Sequence, residues 1–140
     1  MRIEIPLEKK FVHESIIPIR WGDMDALGHV NNAVYFRYIE QARINWLDSH
    51  QLNIYQDGQG VVLVNAFCNF MKQITYPAHL IIKTYIANPT RVGVDTFNVM
   101  SLTTDPETIY AAGGATMVWV DFKAQKATSW PAEIKDKLLI

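Results

Sequence analysis

The sequence predicts an α+β domain in which one long helix lies against an antiparallel sheet of five strands. Three observations carry this prediction. An apolar stripe recurs at steps of three and four over residues 35–47, a β-rich pattern runs from residue 60 to residue 121, and short, turn-rich connections make successive strands antiparallel neighbours. At 140 residues, 49% hydrophobic and 19% charged, the chain has the size of one compact unit with one core, so a single domain is expected over residues 1–140.

Residues 1–10 mix charge with short aliphatics and are expected to form a loose arm. Residues 11–21 read as the first strand, on the strength of Ser15-Ile16-Ile17-Pro18-Ile19-Arg20. Pro18 has no N–H, which argues for an edge position or a bulge. The stretch 20–43 follows, and in it two acids, a histidine and two asparagines crowd a glycine-punctuated loop just before the helix. Gly22 and Gly28 allow sharp turns that bring Asp23, Asp25 and His29 to one mouth, the usual setting of a binding or catalytic loop.

Asn31 or Asn32 is read as the N-cap, since an Asn side chain can accept from the first free helical N–H groups. Tyr35, Tyr38, Ile39, Ala42 and Trp46 make the apolar stripe, and Phe36 and Leu47 are expected to widen it. Arg37, Gln41, Asn45 and Asp48 fall on the opposite side. Glu40 and Arg43 stand three apart and are expected to pair at the stripe's border, in a structural role.

Residues 53–60 read as a loop. A long strand is expected over 61–76, with others at 80–86, 93–103 and 108–121, separated by Tyr76-Pro77, Asn88-Pro89 and Asp105-Pro106. Gly113-Gly114, inside the last strand, suggests a bulge or the close approach of another backbone. The tail beyond Trp130-Pro131 is expected to add a closing helical turn. Long β-rich edges on so small a domain need cover, and symmetric pairing of subunits is the usual remedy, so a homodimer or homotetramer is expected.

Composition narrows the function. With a net charge of -1 and Lys and Arg scattered singly, the chain lacks the basic footprint that nucleic acid requires. No apolar run reaches the length of a membrane span and no signal-peptide core is present, so a soluble, cytoplasmic protein without a membrane partner is expected. Cys68 is the only cysteine, which rules out an internal disulfide and a Cys-rich metal cluster. Its apolar strand suggests a small buried thiol. His13, His50 and His79 are isolated and lack ligand spacing, so no metal site is expected.

Asp23 is two residues from Asp25 and could raise its proton affinity, but such a residue more often fixes a turn, and that structural role is the expectation. Asp25 itself reads either as a loop or capping acid or as a carboxylate poised beside a helix start, where free N–H groups favour a developing negative oxygen. His29 reads equally as a general acid or as a loop donor. Asn65 and Asn69 point to one side of their strand and could reach a substrate from a partner subunit, or form a satisfied pair. Arg91 and Lys83 are isolated cations able to meet an anion.

Asp23-Met24-Asp25-Ala26-Leu27-Gly28, followed by Tyr35 at the helix opening, resembles the signature of the hotdog-fold acyl-CoA thioesterases of the hydroxybenzoyl-CoA thioesterase type. Val118-Trp119-Val120-Asp121, Lys126 and Pro131 resemble that family's last strand and exit, so the likeness runs over about residues 11–138. The resemblance implies a hotdog fold, with a long central helix wrapped by a five-stranded antiparallel sheet. It also implies dimers joined edge to edge, sites at the subunit interface, an acyl-CoA substrate, and hydrolysis without metal or cofactor. By resemblance, Asp25 is the nucleophile or the general base and the Asn32 backbone N–H holds the thioester oxygen.

His29-Val30-Asn31-Asn32 is similar to a second branch, the acyl-carrier-protein thioesterases, in which the His and an Asn two residues ahead of it contribute to catalysis; Leu27 occupies that second place here. The expected catalytic set is therefore Asp25, His29 and Asn32. Gly28, Asn31, Tyr35, Asn65 and Arg91 are expected to contact substrate. Two rival readings are a hotdog dehydratase of hydroxyacyl thioesters, whose His-Phe-Pro stretch is missing, and a non-catalytic acyl-thioester binding module, against which the retained Asp25 counts.

Overall fold

The computed structural model describes residues 3–139. In chain order the elements are β1 (Lys10–Pro18), a 3-10 turn (Trp21–Asp23), α1 (Val34–Ser49), β2 (Tyr55–Gln56), β3 (Gln59–Phe70), β4 (His79–Ala87), β5 (Gly93–Leu102), β6 (Ala111–Asp121), β7 (Lys126–Ala127) and α2 (Ala132–Leu138). Every pairing is antiparallel, in the order β1-β4-β5-β6-β3-β2 with β7 on β6. The five long strands are those expected. The sheet has seven because two short strands form as well, β2 where the sequence read a loop and β7 between the last expected strand and the tail, where no element was expected. Positive φ angles at Asp57 and Gly58, and at Gln125, let the chain reverse tightly enough to pair there.

β1 lies at the sheet's edge and Pro18 is its last residue, where the missing N–H costs no ladder bond. β3 ends at Phe70 rather than near residue 76, because the N–H groups of Met71 and Lys72 both turn to the Tyr110 carbonyl, at 2.9 and 3.0 Å. The chain then crosses toward the loop before α1, where Val30 N–H donates to the Ile74 carbonyl at 2.9 Å. Residues 3–9 are not a loose arm. Asn69 clamps the backbone of Ile3 with both ends of its carboxamide (3.3 and 2.7 Å), and Lys9 Nζ sits 4.9 Å from the centre of the Tyr85 ring. Met1 and Arg2 lie outside the described residues.

α1 buries Tyr35, Tyr38, Ile39, Ala42, Trp46 and Leu47 as the stripe predicted, whereas Phe36 remains 38% exposed and does not widen it. Toward its start the helix packs with Ile74, Leu80, Ile82, Met100 and Ala111; toward its end, with Ile86, Val94, Met117, Trp119 and the α2 residues Ile134 and Leu138. Each Val, Leu, Ile or Met side chain among them contributes about 1.5–3 kcal/mol when fully buried. At Gly113 the helix comes so close that an added Cβ would stand 2.9 Å from Ile39 Cδ1 and collide with the Phe67 carbonyl. The glycine pair thus marks the expected close approach, while the irregularity of the β3–β6 ladder lies between Leu63 and Asn65.

Two helix expectations are corrected. Ala33, not Asn31 or Asn32, occupies the cap position, and it offers no side-chain bond. Asn31 instead closes the turn that leads in, its Oδ1 accepting from Ala33 N–H and its carbonyl from Val34 N–H, both at 2.9 Å. Glu40 pairs with Arg37 at 2.9 Å rather than with Arg43, whose buried Nε has no partner among the described residues. Among the described residues no helix is long and apolar enough to cross a membrane.

The loop before α1 is held by one buried acid. Asp23 Oδ2 accepts from Tyr38 Oη at 2.6 Å and from Arg20 N–H at 3.0 Å, and the Asp23 carbonyl accepts from Asn31 N–H at 3.0 Å. Burial pushes this carboxyl's pKa up, but the Tyr38 and Arg20 hydrogen bonds and the Arg20 charge outweigh it and hold the group below its ordinary value. Burial and the same bond push the Tyr38 phenol upward. A carboxyl depressed in the folded state stabilises the fold fully above its ordinary value of 3.8 and loses that contribution as pH falls through the lower folded value. Tyr38→Phe is therefore expected to cost about 1.5–3 kcal/mol at neutral pH. In urea denaturation the gap from wild type should shrink as the pH is taken below 3.8; a pH-independent gap would show that the hydroxyl does not act through Asp23.

Candidate active site

Met24 and Val30 bridge to each other and make residues 25–29 a small closed loop. Within it the Gly28 N–H donates to the Asp25 carbonyl at 3.0 Å and the Asp25 N–H to the His29 carbonyl at 2.8 Å. Gly28 has φ of 79°, which closes the turn in a conformation that a side chain would strain. Asp25 Oδ1 accepts from Leu27 N–H at 2.9 Å and from His29 N–H at 3.4 Å, the loop-fixing role that an Asx turn supplies. Its Oδ2 has no partner among the described residues, and the side chain is exposed.

Asp25 borders a cleft of about 370 Å³, lined with it on the loop side by Leu27, His29 and Val30, at the helix opening by Asn32 and Tyr35, and across from them by Phe70, Met71, Lys72 and Gln73. The backbone N–H of Asn32 is bound to nothing among the described residues, unlike those of Asn31, Ala33 and Val34. His29 Nδ1 is buried in this wall without a partner. Tyr35 forms the inner end, its ring edge-on to Phe70 at 4.9 Å, and burial, followed by the nearby Cys68 thiol, raises its pKa against the Ile74 backbone bond. The cleft brings together Asp25, His29 and Asn32 with its free N–H at a helix start, beside the apolar Leu27, Val30, Tyr35, Phe70 and Met71 and the polar Lys72 and Gln73. This arrangement can attack or activate at a carbonyl carbon and stabilise the oxygen that becomes negative.

Of the expected site residues, Asp25, His29, Asn32 and Tyr35 meet in this cleft. Gly28 shapes the turn and Asn31 shapes the helix start, and neither lines it. Asn65 lies on the helix-free face of the sheet, where it lines a separate cavity with Phe67, Phe97 and Ile3, and its Oδ1 accepts from Thr116 N–H at 2.9 Å. Arg91 borders another cavity beside α2 and donates to Ser129 Oγ at 2.9 Å. Neither shares the cleft within one chain. The wall from residue 70 to residue 73 was missed because those residues were read as strand; the polar pair Lys72-Gln73, breaking an apolar run, was the available signal.

Cys68 is partly buried and burial pushes its thiol up to about 11, so it stays protonated and unreactive at neutral pH. Among the described residues no three His, Cys, Asp or Glu side chains gather as a metal-holding group.

The chain is 27% identical to the long-chain acyl-CoA thioesterase FadM of Escherichia coli, over 87% of this chain and 93% of FadM. It is 26% identical to the chloroplastic acyl-acyl carrier protein thioesterase ATL2 of Arabidopsis thaliana, over 88% of this chain and 66% of ATL2. Among solved structures, PA2801 of Pseudomonas aeruginosa, a proposed thioesterase, superposes with a TM-score of 0.84 at 29% identity, covering 91% of this chain and 98% of PA2801. A family model described as the thioesterase-like superfamily matches residues 19–138. The chain belongs to the thioesterase-like superfamily, and its helix and curled antiparallel sheet are that family's hotdog fold.

Proposed function

We propose that the protein is an acyl-CoA thioesterase, releasing a free acid and CoA. The observation that carries this reading is that Asp25, with Oδ2 unengaged among the described residues, and Asn32, with an unbonded N–H, line one cleft. The thioester carbonyl carbon would lie between them, its oxygen toward the Asn32 N–H. Asp25 then either attacks that carbon, giving an acyl-enzyme anhydride that water cleaves, or takes a proton from a water that attacks. In either course the bond to sulfur breaks, and His29 is the nearby group able to give the leaving thiolate a proton. Tyr35 and Phe70 receive the acyl group.

The reading includes a symmetric dimer or a tetramer built from dimers. Among the described residues β3 has no strand partner along residues 62–70 on the side away from β6, and Leu63, Val64 and Phe70 are exposed there. Asn65 and Arg91 stand away from the Asp25 cleft of their own chain, so their proposed contacts with substrate require the partner subunit. An interface of this kind buries more than about 1,000 Å² in total. A fully active monomer in light scattering at assay concentration would remove this part of the reading.

Asp25→Asn keeps the side chain's shape and its acceptor for Leu27 N–H while removing the carboxylate. Turnover of accepted acyl-CoA thioesters, followed as released thiol, is expected to fall on the order of 10² to 10⁴ fold with little change in affinity. A normally folded Asp25→Asn protein with wild-type turnover would remove Asp25 from the chemistry.

Activity is also expected to survive EDTA and the Cys68→Ala substitution, since the cleft's carboxylate and backbone N–H supply the chemistry. Loss of activity in EDTA that a divalent metal restores would overturn the assignment.

A further inference from the structure

Arg43 is buried in α1 at 8% exposure, and its Nε–H has no acceptor among the described residues. The acid nearest in sequence, Glu40, is exposed and turned to Arg37 at 2.9 Å. Burial disfavours the charged guanidinium and the Glu40 charge only partly offsets this; the Nη atoms, unlike Nε, are not enclosed and have no hydrogen-bond partner among the described residues, so they can take an acceptor from outside the fold. Its position says where that acceptor comes from. Phe36, Glu40, Arg43 and Leu47 are three and four apart and form one flank of the helix. The other flank faces β1, where Asn45 Nδ2 donates to Ser15 Oγ at 3.2 Å. The Arg43 flank therefore looks toward the open side of β3.

The level along that edge follows from the packing. Tyr35 meets Phe70, and Ile39 stands over Gly113, which pairs with Cys68. One turn later Arg43 comes level with the Ala66–Ala115 pair, before Trp46 joins Met117 in the next cluster. Ala66 lies at the middle of the open run 62–70. A two-fold axis that pairs two β3 edges symmetrically about that midpoint brings the two Arg43 flanks together. Alone they would present like charges. Because a two-fold contact is reciprocal, each Arg43 can instead meet the acid three residues earlier on the opposing helix.

We propose that Arg43 is completed by Glu40 of the partner subunit, in two symmetric ion pairs that set the register of a dimer formed by two copies of this chain along β3. The inference rests on the dimer of the proposed function and adds the residues that hold it in place. Neither residue lines the Asp25 cleft. The lost Arg37 contact matters little in any variant, as an exposed pair of this kind contributes less than about 1 kcal/mol, a factor of about five.

Charge exchange tests it. In sedimentation equilibrium, Arg43→Glu and Glu40→Arg alone are each expected to weaken dimerisation on the order of 10²-fold or more, and the double exchange to recover most of that loss. Glu40 is exposed, so Glu40→Arg carries the test should Arg43→Glu fail to fold. Arg43→Met, which keeps the bulk, is expected to fold with an undiminished melting temperature and to dimerise more weakly. A wild-type protein that stays monomeric would overturn the dimer and the pair together. A wild-type dimer whose dissociation constant is unmoved by folded Glu40→Arg and Arg43→Met would overturn the pair and leave the dimer standing.

Discussion

The contact on which the rest depends is the seat of α1 on the sheet at Gly113. Ile39 reaches a strand that carries no side chain there, so the helix axis comes close enough for Tyr35 and Tyr38 on one side of the contact and Trp46 on the other to be buried together. A methyl group on Gly113 would meet Ile39 and the Phe67 backbone at once, and packed interiors yield little to such an insertion. On the other face of the same strand Gly114 lies beneath Phe67 and Phe97, whose rings occupy the space a side chain would need. The pair of glycines therefore thins β6 from both sides at the level where the helix crosses.

What the helix's position does for the site is transmitted by Tyr38. Its ring belongs to the core, while its hydroxyl ends on Asp23, which also receives Arg20 N–H and, through its carbonyl, Asn31 N–H. Core packing and loop geometry are thus one structure. The cleft wall opposite is placed by the same core, since Ile74 is both buried beside α1 and the acceptor for Val30 N–H. The loop of ten residues between the 3-10 turn and α1 is held by the Met24–Val30 bridge, by Asp23 and by Ile74.

The fold was legible in the sequence where a periodicity ran long. The α1 stripe and the five long strands each repeat a pattern over many residues, and burial along one face enforces it. Short elements carry no period, which is why β2, β7 and the end of β3 at Phe70 escaped; they are set by reversals and by the Tyr110 carbonyl, which is distant in sequence. Phe36 misled because an aromatic residue on a helix flank looks like core until the sheet's edge is located. Glu40 and Arg43 misled for a related reason: spacing permits a pair, but Arg37 is equally near Glu40 and lies in water, whereas Arg43 is drawn under the surface. At the site, the loop and helix start were readable because Gly, Asp and Asn have local signatures. The facing wall and the placements of Asn65 and Arg91 depend on tertiary contacts that no local pattern encodes.

Asp25 shows how a structural reading and a chemical one can both hold for a single side chain. Considered from its neighbours, it is a turn-fixing acid, since Oδ1 is engaged by Leu27 and His29 N–H groups. On the proposed function the same engagement is what makes the group useful. A carboxylate free to rotate would sample many orientations, and productive geometry depends on holding the reacting atom within a narrow range of positions. With one oxygen tied to the backbone, the other is carried on a rigid turn beside the cleft that Asn32, with its unbonded N–H, also lines. On that reading the reactivity of the group rests on its position and on the nearby oxyanion donor. This places the catalytic burden on the backbone geometry of residues 25–32, the segment that Asp23 and Tyr38 anchor to the core.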